Sequence, residues 1–459
     1  MLPNAVRQFE MKASKKITGM AAKEETTVER KIYQAMKHWE ETSVQEPLML
    51  IGVRQSGKTW IIHHFCKETY SDVFYLNLEE QPSFQSAFEG DLSPRVILQN
   101  LGILAGRTIT AETAIVFDEI QVCERAITAL KYFCEAPENY RVIAAGSLLG
   151  VKLRRFQSSF PVGKVHILHM YPMDFEEFLL ACGEGMLRDR IMESYQTLSP
   201  LPSAIHEKAH RLCLDYMMVG GMPKAVEHYL TQGKDISAFS PEIHRNLHLA
   251  YLADMTKYVK NPYEAEKISQ VYQSIPRQLA KENPKFQYNA VRRTGNKRDY
   301  ESPIDWLKSS GMLLAVNGLE APLSPLKSQE KDNMYKLYLS DVGMLATMCG
   351  MKARDLLPEQ SNLYKGAIVE NYLIQQFAPY REKQYYFRPS DSMEIDLVDD
   401  RDEGVIPIEI KSGRHKRSRS LLNYMDQFHP PFAIRFSALN FGKADRLVSL
   451  PLYAAFCAY

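Results

Sequence analysis

The sequence lacks the signals that mark membrane, secreted and disulfide-rich proteins. It has no run of 18 or more apolar residues, and its N-terminus has no continuous apolar core of a signal peptide. The seven cysteines are odd in number and include no CxxC pair, which predicts scattered reduced thiols rather than a disulfide framework. We therefore expect a cytoplasmic protein that has no membrane partner.

An excess of charge of one sign is also absent. The chain has 56 basic and 55 acidic residues, a formal net charge of +1. This balance excludes a polycation that coats nucleic acid over its whole surface, but it does not exclude a local basic patch. With 459 residues, of which 45% are hydrophobic, the chain is long enough for three or four domains of about 100–150 residues each.

Residues 52–59 read GVRQSGKT and match the phosphate-binding pattern G-x-x-x-x-G-K-[ST] at every specified position. An apolar run at 47–51 predicts a strand before the motif, and residues 59–68 predict a helix after it. Strand, glycine loop and helix N-terminus together turn backbone N–H groups toward a phosphate. The alternative is a glycine-rich turn that binds nothing. The residues expected to contact ATP are Gly52, Arg54, Gln55, Ser56, Gly57, Lys58, Thr59 and Trp60.

The chemistry of this site needs further groups at the ends of neighbouring strands. Lys58 is expected to reach the β- and γ-phosphates, and the Thr59 hydroxyl to hold Mg²⁺. Residues 114–119 predict an apolar strand that ends in Asp118, expected to hold Mg²⁺, and Glu119, expected to orient and deprotonate water. Further strands are predicted at 73–78 and 142–147. Ser147 ends the second of these, either as a sensor of the γ-phosphate or lytic water or as a plain strand-ending turn.

Residues 28–182 resemble an AAA-type ATPase domain of the bacterial and archaeal kind, after a leader at 1–27. The resemblance also rests on a basic pair, Arg154 and Arg155, and on the segments 160–164 (FPVGK) and 171–179 (YPMDFEEFL). It implies ATP and Mg²⁺ as cofactors and ATP hydrolysis. Arg154 or Arg155 is a candidate arginine finger toward a neighbouring subunit, which would require self-association; the alternative is that both are ordinary solvated arginines. The family often has arginine where this chain has Lys164.

The next two segments resemble known modules. Residues 183–262 are predicted to be helical, with a break at Gly220-Gly221-Met222-Pro223, and resemble the lid of the same ATPase family. Residues 263–345 predict three helices and two strands and resemble a winged helix. Four basic residues at the start of its third helix are placed to meet a DNA duplex, or else form a solvated face on a protein-docking module. These are Arg292, Arg293, Lys297 and Arg298.

The C-terminal residues 346–459 hold a second group of charged residues. Glu370 falls in a predicted helix, and a hairpin of alternating strands should place Asp396, Glu409 and Lys411 on one face. The pattern resembles the PD-(D/E)xK nuclease fold, which implies a metal held by Asp396 and Glu409, with Lys411 as the catalytic lysine. No Pro-Asp pair precedes the first strand acid. Two alternatives are a fold that cuts nothing and acids that only form ion pairs with Lys411 and Arg414.

The sequence thus predicts an α/β protein with a P-loop NTPase core of AAA type, a helical lid, a winged helix and a restriction-endonuclease-like α/β domain. Its expected function is a Mg²⁺-dependent ATPase that controls a DNA-directed C-terminal module. The alternative is a nucleotide-dependent switch or scaffold, in which the C-terminal domains bind a protein partner without cleavage.

Overall fold

The computed structural model describes residues 30–42, 45–147, 163–259, 261–281, 285–357, 362–390, 393–413 and 419–458. Several of the residues singled out in the sequence lie outside these ranges, so their assignments stay predictions. They are the leader at 1–27, Arg154, Arg155, residues 160–162 and Arg414.

The N-terminal part is built on a parallel five-stranded sheet in the order β2-β3-β4-β1-β5. Its strands are β1 (Leu48–Gly52), β2 (Val73–Asn77), β3 (Ala114–Asp118), β4 (Val142–Gly146) and β5 (His166–Met170). The flanking helices are α1 (Lys31–Thr42), α2 (Lys58–Thr69), α3 (Pro94–Ala105) and α4 (Glu124–Glu135), with 3-10 turns at Pro82–Phe88 and Ile120–Val122.

Both faces of this sheet are covered, which explains why its central strands are almost continuously apolar. Leu48 and Leu50 of β1 point to the layer that contains α1 and α2. Met49 and Ile51 point to the opposite layer with α3 and α4. The predicted α/β P-loop core is confirmed by this parallel sheet.

A helical region follows the sheet. Its helices are α5 (Phe175–Ala181), α6 (Gly185–Thr197), α7 (Ser203–Val219), α8 (Pro223–Thr231), α9 (Glu242–Tyr258) and α10 (Pro262–Leu279). The predicted break lies between α7 and α8, where Gly220 has φ 69. A Cβ on Gly221 would stand 2.0 Å from the carbonyl oxygen of Met173, so this close approach requires glycine.

The C-terminal part contains a mixed eight-stranded sheet in the order β12-β13-β11-β10-β9-β8-β6-β7. Its strands are β6 (Leu313–Leu319), β7 (Glu330–Leu339), β8 (Gln384–Ser390), β9 (Met393–Arg401), β10 (Gly404–Ile410), β11 (Ala433–Ser437), β12 (Gly442–Ala444) and β13 (Leu447–Pro451). The helices are α11 (Tyr288–Val291), α12 (Lys297–Ser309), α13 (Val342–Met348), α14 (Lys365–Phe377) and α15 (Arg419–Phe428). The 3-10 turns are Leu326–Gln329, Ala353–Leu356, Ala378–Tyr380 and Leu452–Cys457.

The hairpin predicted as a wing is part of this larger sheet. Strands β6 and β7 pair antiparallel, and β6 also pairs in parallel with β8. A mixed α/β C-terminal part is therefore confirmed, while the winged-helix and restriction-endonuclease-like assignments stay predictions. Within the described ranges, no helix is both long enough and apolar enough to cross a membrane.

Candidate functional site

The predicted ATP-contacting residues lie at the carboxyl end of β1, in the loop that leads into α2. Gln55 and Gly57 adopt left-handed backbone conformations, with φ 63 and 98, which curl the loop. Ser56 is buried, and its hydroxyl donates to the carbonyl of Val53. Gly52 has no room for a Cβ, since one would stand 2.2 Å from the Met170 carbonyl oxygen. The loop therefore has the tight backbone geometry that a phosphate cradle needs.

Lys58 lies inside this loop. Its ammonium donates to the carbonyl oxygens of Gly52 and Val53, at 2.9 Å each. Burial lowers the pKa of Lys58 to about 8, although the carboxylates of Glu119 and Asp118 act in the opposite direction. The Lys58 ammonium is therefore buried near two carboxylates, and phosphate oxygens could replace the carbonyl oxygens that it contacts.

The phosphate loop and the β3 acids meet directly. Thr59 Oγ1 donates to Asp118 Oδ2 at 2.8 Å, and the Tyr75 hydroxyl donates to the same oxygen at 2.6 Å. Asp118 is 1% exposed. A hydroxyl next to a carboxylate supplies the hard oxygen ligands that Mg²⁺ prefers, so Thr59 and Asp118 fit that cation.

Glu119 turns out of the end of β3 with φ 50. Its Oε2 accepts a hydrogen bond from the side-chain amide of Gln121, and Ser147 Oγ lies 3.4 Å from the same atom. Ser147, at the end of β4, is thus close to Glu119, although a contact of 3.4 Å is a weak hydrogen bond. Gln121 and Tyr75 were missed in the sequence. Gln121 follows the predicted strand end at Glu119 by two residues, and Tyr75 lies on the neighbouring strand. Their closeness to the predicted site residues could have indicated them.

Two more residues reach the loop from distant parts of the chain. Arg30 is buried, and its guanidinium donates to the Ser56 carbonyl oxygen at 3.1 Å. From α9, the Tyr251 hydroxyl donates to the Arg54 carbonyl oxygen at 3.2 Å. The Arg54 side chain itself is ion-paired with Asp254 of the same helix. No local sequence signal indicated these contacts.

The remaining predicted residues near this domain lie at its surface. Trp60 stacks on His64, one turn further along α2, with ring centroids 5.2 Å apart. Lys164 pairs with Glu135 at 3.3 Å, and both side chains are 41% exposed. An exposed ion pair of this kind contributes little, so this contact by itself gives Lys164 no role at the site.

The four basic residues predicted to meet DNA are all exposed and cluster at the N-terminal end of α12. They are Arg292, Arg293, Lys297 and Arg298. Lys297 pairs with Glu301 at 3.4 Å, one turn into the helix. The cluster is open to a partner that carries negative charge.

The C-terminal charged residues form one group, which we call the acid cluster: Glu370, Glu394, Asp396, Glu409, Lys336 and Lys411. Asp396 on β9 and Glu409 on β10 come together, because the Ile410 amide after Glu409 donates to Asp396 Oδ2 at 2.7 Å. Lys411 is ion-paired with Glu409. The structure therefore brings together the three residues that the alternating strands predicted.

Lys336 of β7 is a member of the acid cluster that sequence reasoning missed. It is 1% exposed, and its ammonium lies 2.8 Å from Glu370 Oε1 and 2.7 Å from Glu394 Oε1. Tyr338, on the same strand, donates to Glu370 at 2.6 Å. Burial alone lowers the pKa of Lys336, but Glu370, Tyr338 and Glu394 raise it well above the ordinary value. Lys336 is therefore a charged, buried cation.

This arrangement does not fit a divalent cation as it stands. Glu370 and Glu394 face Lys336, and Glu409 faces Lys411. Burial, together with Glu409 and Glu370, raises the pKa of Asp396 well above its ordinary value and so favours its protonated form. Among the residues that the structure describes, no three His, Cys, Asp or Glu side chains are grouped to hold a metal. Metal ligation by Asp396 and Glu409 stays a prediction.

Comparisons with known proteins divide the chain into three matched regions. Residues 44–179 match the family described as AAA domain. Residues 210–355 and 365–453 match two domains of unknown function, DUF8612 and DUF4143. The comparison with curated proteins found no match.

Two solved structures are similar at low identity. A Walker-type ATPase of Pyrococcus abyssi is 16% identical over 71% of this chain and 97% of its own, with a TM-score of 0.43. The Aeropyrum pernix ORC2 protein is 13% identical over 70% of this chain and 90% of its own, with a TM-score of 0.35. Likeness this distant assigns no function. The chain carries an AAA-family ATPase domain on a P-loop α/β core, followed by two regions whose families have no assigned function.

Proposed function

We propose that this protein is a Mg²⁺-dependent ATPase whose nucleotide state controls its C-terminal part. The observation that carries the proposal is the 2.8 Å contact between Thr59 and Asp118, which joins the phosphate loop to the β3 acids. A glycine-rich turn without a ligand has no need of a buried lysine and a buried carboxylate beside it. Their joint burial supports a site built for a charged phosphate chain.

Each side chain has a separate task in this proposal. Lys58 neutralises the β- and γ-phosphates, and the loop amides hold them in place. Mg²⁺, held by Thr59 and Asp118, would offset phosphate charge during transfer. Glu119 orients the attacking water and takes its proton, while Gln121 and Ser147 keep the Glu119 carboxylate in position.

A chain of hydrogen bonds links the ATPase core to the C-terminal sheet. The Met173 amide donates to the Gly221 carbonyl oxygen at 2.7 Å. The Gly221 amide donates to Asp341 Oδ2, also at 2.7 Å. Asp341 caps α13 directly after β7, the strand that carries Lys336. A shift of the helical region would therefore move Asp341 and, through β7, the acid cluster. This connection supports control of the C-terminal part by nucleotide.

The nucleotide site is tested by Lys58→Ala. This variant should lose ATP binding and turnover without unfolding, because a side chain without the ammonium cannot neutralise phosphate charge. Binding is measured by calorimetry with Mg²⁺-ATP, turnover by phosphate release, and folding by circular dichroism. Unchanged phosphate release in a folded Lys58→Ala protein would remove the site assignment.

DNA is the first candidate partner of the C-terminal part, supported by the exposed basic residues at the start of α12. Arg293→Glu should weaken binding of a DNA duplex and any stimulation of phosphate release by DNA. Arg190→Glu, an exposed arginine of α6, is the matched control and should change neither. If the two variants behave alike, the partner is sought among proteins, as a switch or scaffold would require.

Phosphodiester cleavage is a second candidate, supported by the joint placement of Asp396, Glu409 and Lys411. The pairing of the acids with lysines speaks against it. Wild type and Asp396→Ala are incubated with DNA, ATP and Mg²⁺ or Mn²⁺. Cleavage that is lost in Asp396→Ala would establish a nuclease, whereas intact DNA in both would leave a nucleotide-driven switch that binds its partner without cutting.

A further inference from the structure

Helix α9 of the helical region makes a charged contact with the phosphate loop. Asp254 Oδ1 accepts from Arg54 Nη1, and Arg54 Nη2 lies 3.9 Å from Glu79 Oε2. Lys257, one turn after Asp254, pairs with Glu79 in turn. The loop residue Arg54 thus has its guanidinium fixed by two carboxylates, of which Asp254 is the nearer and the more deeply buried.

The surroundings of Asp254 disfavour a charged carboxylate. Its side chain is 2% exposed, and Oδ2 is buried without a hydrogen-bond partner among the described residues. Burial raises the pKa of Asp254, Arg54 and Lys257 lower it, and nearby Glu119 and Glu79 raise it further. A buried carboxylate that keeps one oxygen unpaired beside other acids does not favour stability, which indicates a role at the nucleotide site.

Arg54 is a group that a triphosphate would attract. Its charge acts on Lys58, whose pKa it lowers, so the two cations serve one small region. Guanidinium groups bind phosphate oxygens through paired, charge-assisted hydrogen bonds. The negative charge of the phosphates would also repel the Asp254 carboxylate.

We propose that Asp254 competes with the phosphates of the nucleotide for Arg54, so that phosphate binding releases α9 from the phosphate loop. The inference rests on the proposed ATP site and adds to it a residue from the helical region that sets nucleotide affinity. Helix α9 also contacts the loop through Tyr251. The change of Arg54 partner from Asp254 to phosphate therefore couples nucleotide binding at the loop to the position of the helices.

Affinity for Mg²⁺-ATP tests the competition. Asp254→Asn should bind ATP about tenfold more tightly. The substitution removes the carboxylate that competes for Arg54, and the free energy of that contact is about that of a charge-assisted hydrogen bond. Glu242→Gln is the matched control: it is the same kind of change on an exposed acid of the same helix, and it should leave the affinity unchanged. In an Arg54→Met background, Asp254→Asn should give a clearly smaller gain, because only the repulsion between Asp254 and the phosphates is then removed. Unchanged or weaker binding by Asp254→Asn, or an equal gain in the Arg54→Met background, overturns the proposal.

Amide hydrogen exchange of residues 242–258 without nucleotide tests the contact itself. Asp254→Asn and Arg54→Met should each speed exchange there, and the double variant should add nothing further. Unaltered exchange in both single variants overturns the contact as a restraint on α9. The two failures are distinguishable: if no variant binds ATP, the proposed ATP site fails, whereas normal ATP binding by wild type with no effect of Asp254→Asn overturns the competition alone.

Discussion

Lys336→Met removes the buried cation of the acid cluster and leaves Glu370 and Glu394 facing each other. The ammonium lies 2.8 Å and 2.7 Å from these carboxylates. Removing one partner of a buried ion pair costs about 3–5 kcal/mol. Because the two carboxylate side chains keep 16% and 23% of their surface exposed, water screens part of the repulsion. We therefore expect a loss of about 3 kcal/mol, the lower end of that range.

The assay is amide hydrogen exchange of β9 and β10, which reports the local free energy of opening of the strands beside the cluster. Lys331→Met, an exposed lysine of the same strand β7, is the matched control and should change that free energy by less than about 0.5 kcal/mol. Adding Glu370→Gln to Lys336→Met should restore part of the stability, because Glu370 is then neutral, whereas Glu394 keeps its ion pair with Arg388. A loss below about 1 kcal/mol in Lys336→Met would refute the reasoning, since the lysine would not be neutralising these acids.

Two further predictions concern the ATPase core and its link to the helices. With a pKa of about 8, Lys58 is about half protonated at pH 8, and phosphates favour its charged form, so ATP binding should take up about half a proton at pH 8. ATP affinity should accordingly fall as the pH rises through 8. The proton uptake is measured by calorimetry in buffers of different ionisation enthalpy. Zero uptake at pH 8 would contradict the lowered pKa of Lys58. Gly221→Ala should destabilise the contact with Met173 by about 1–3 kcal/mol, because the new Cβ would stand 2.0 Å from a carbonyl oxygen. A thermal unfolding curve identical to that of wild type would show that the turn tolerates a side chain.

The parts of the site that are contiguous in sequence could be predicted from it. The phosphate loop and the β3 acids are short segments with fixed spacing, because their chemistry needs a strand end followed at once by a polar group. The strand period of two likewise predicts that Asp396, Glu409 and Lys411 share one face, because alternate residues of a strand point to the same side of the sheet.

The remaining contacts depend on tertiary packing, for which no local pattern exists. Asp254 meets Arg54 from 200 residues further along the chain. Lys336 reaches Glu370 from a strand that the sequence indicated only as one half of a wing. The parallel pairing of β6 with β8, which joins that hairpin to the C-terminal sheet, brings the two regions together, and the sequence carried no signal for it.

The most direct test of the central claim is Mg²⁺-ATP turnover by Glu119→Gln beside wild type, with ATP binding measured on the same samples. Glutamine keeps the shape of Glu119 and can still meet Gln121 and Ser147, but it cannot take a proton from water. The account predicts that wild type releases phosphate, and that Glu119→Gln binds ATP as well as wild type yet releases phosphate at least about a hundredfold more slowly. Equal turnover in the two proteins would contradict the assignment of Glu119 as the base and, with it, the proposed reaction at this site.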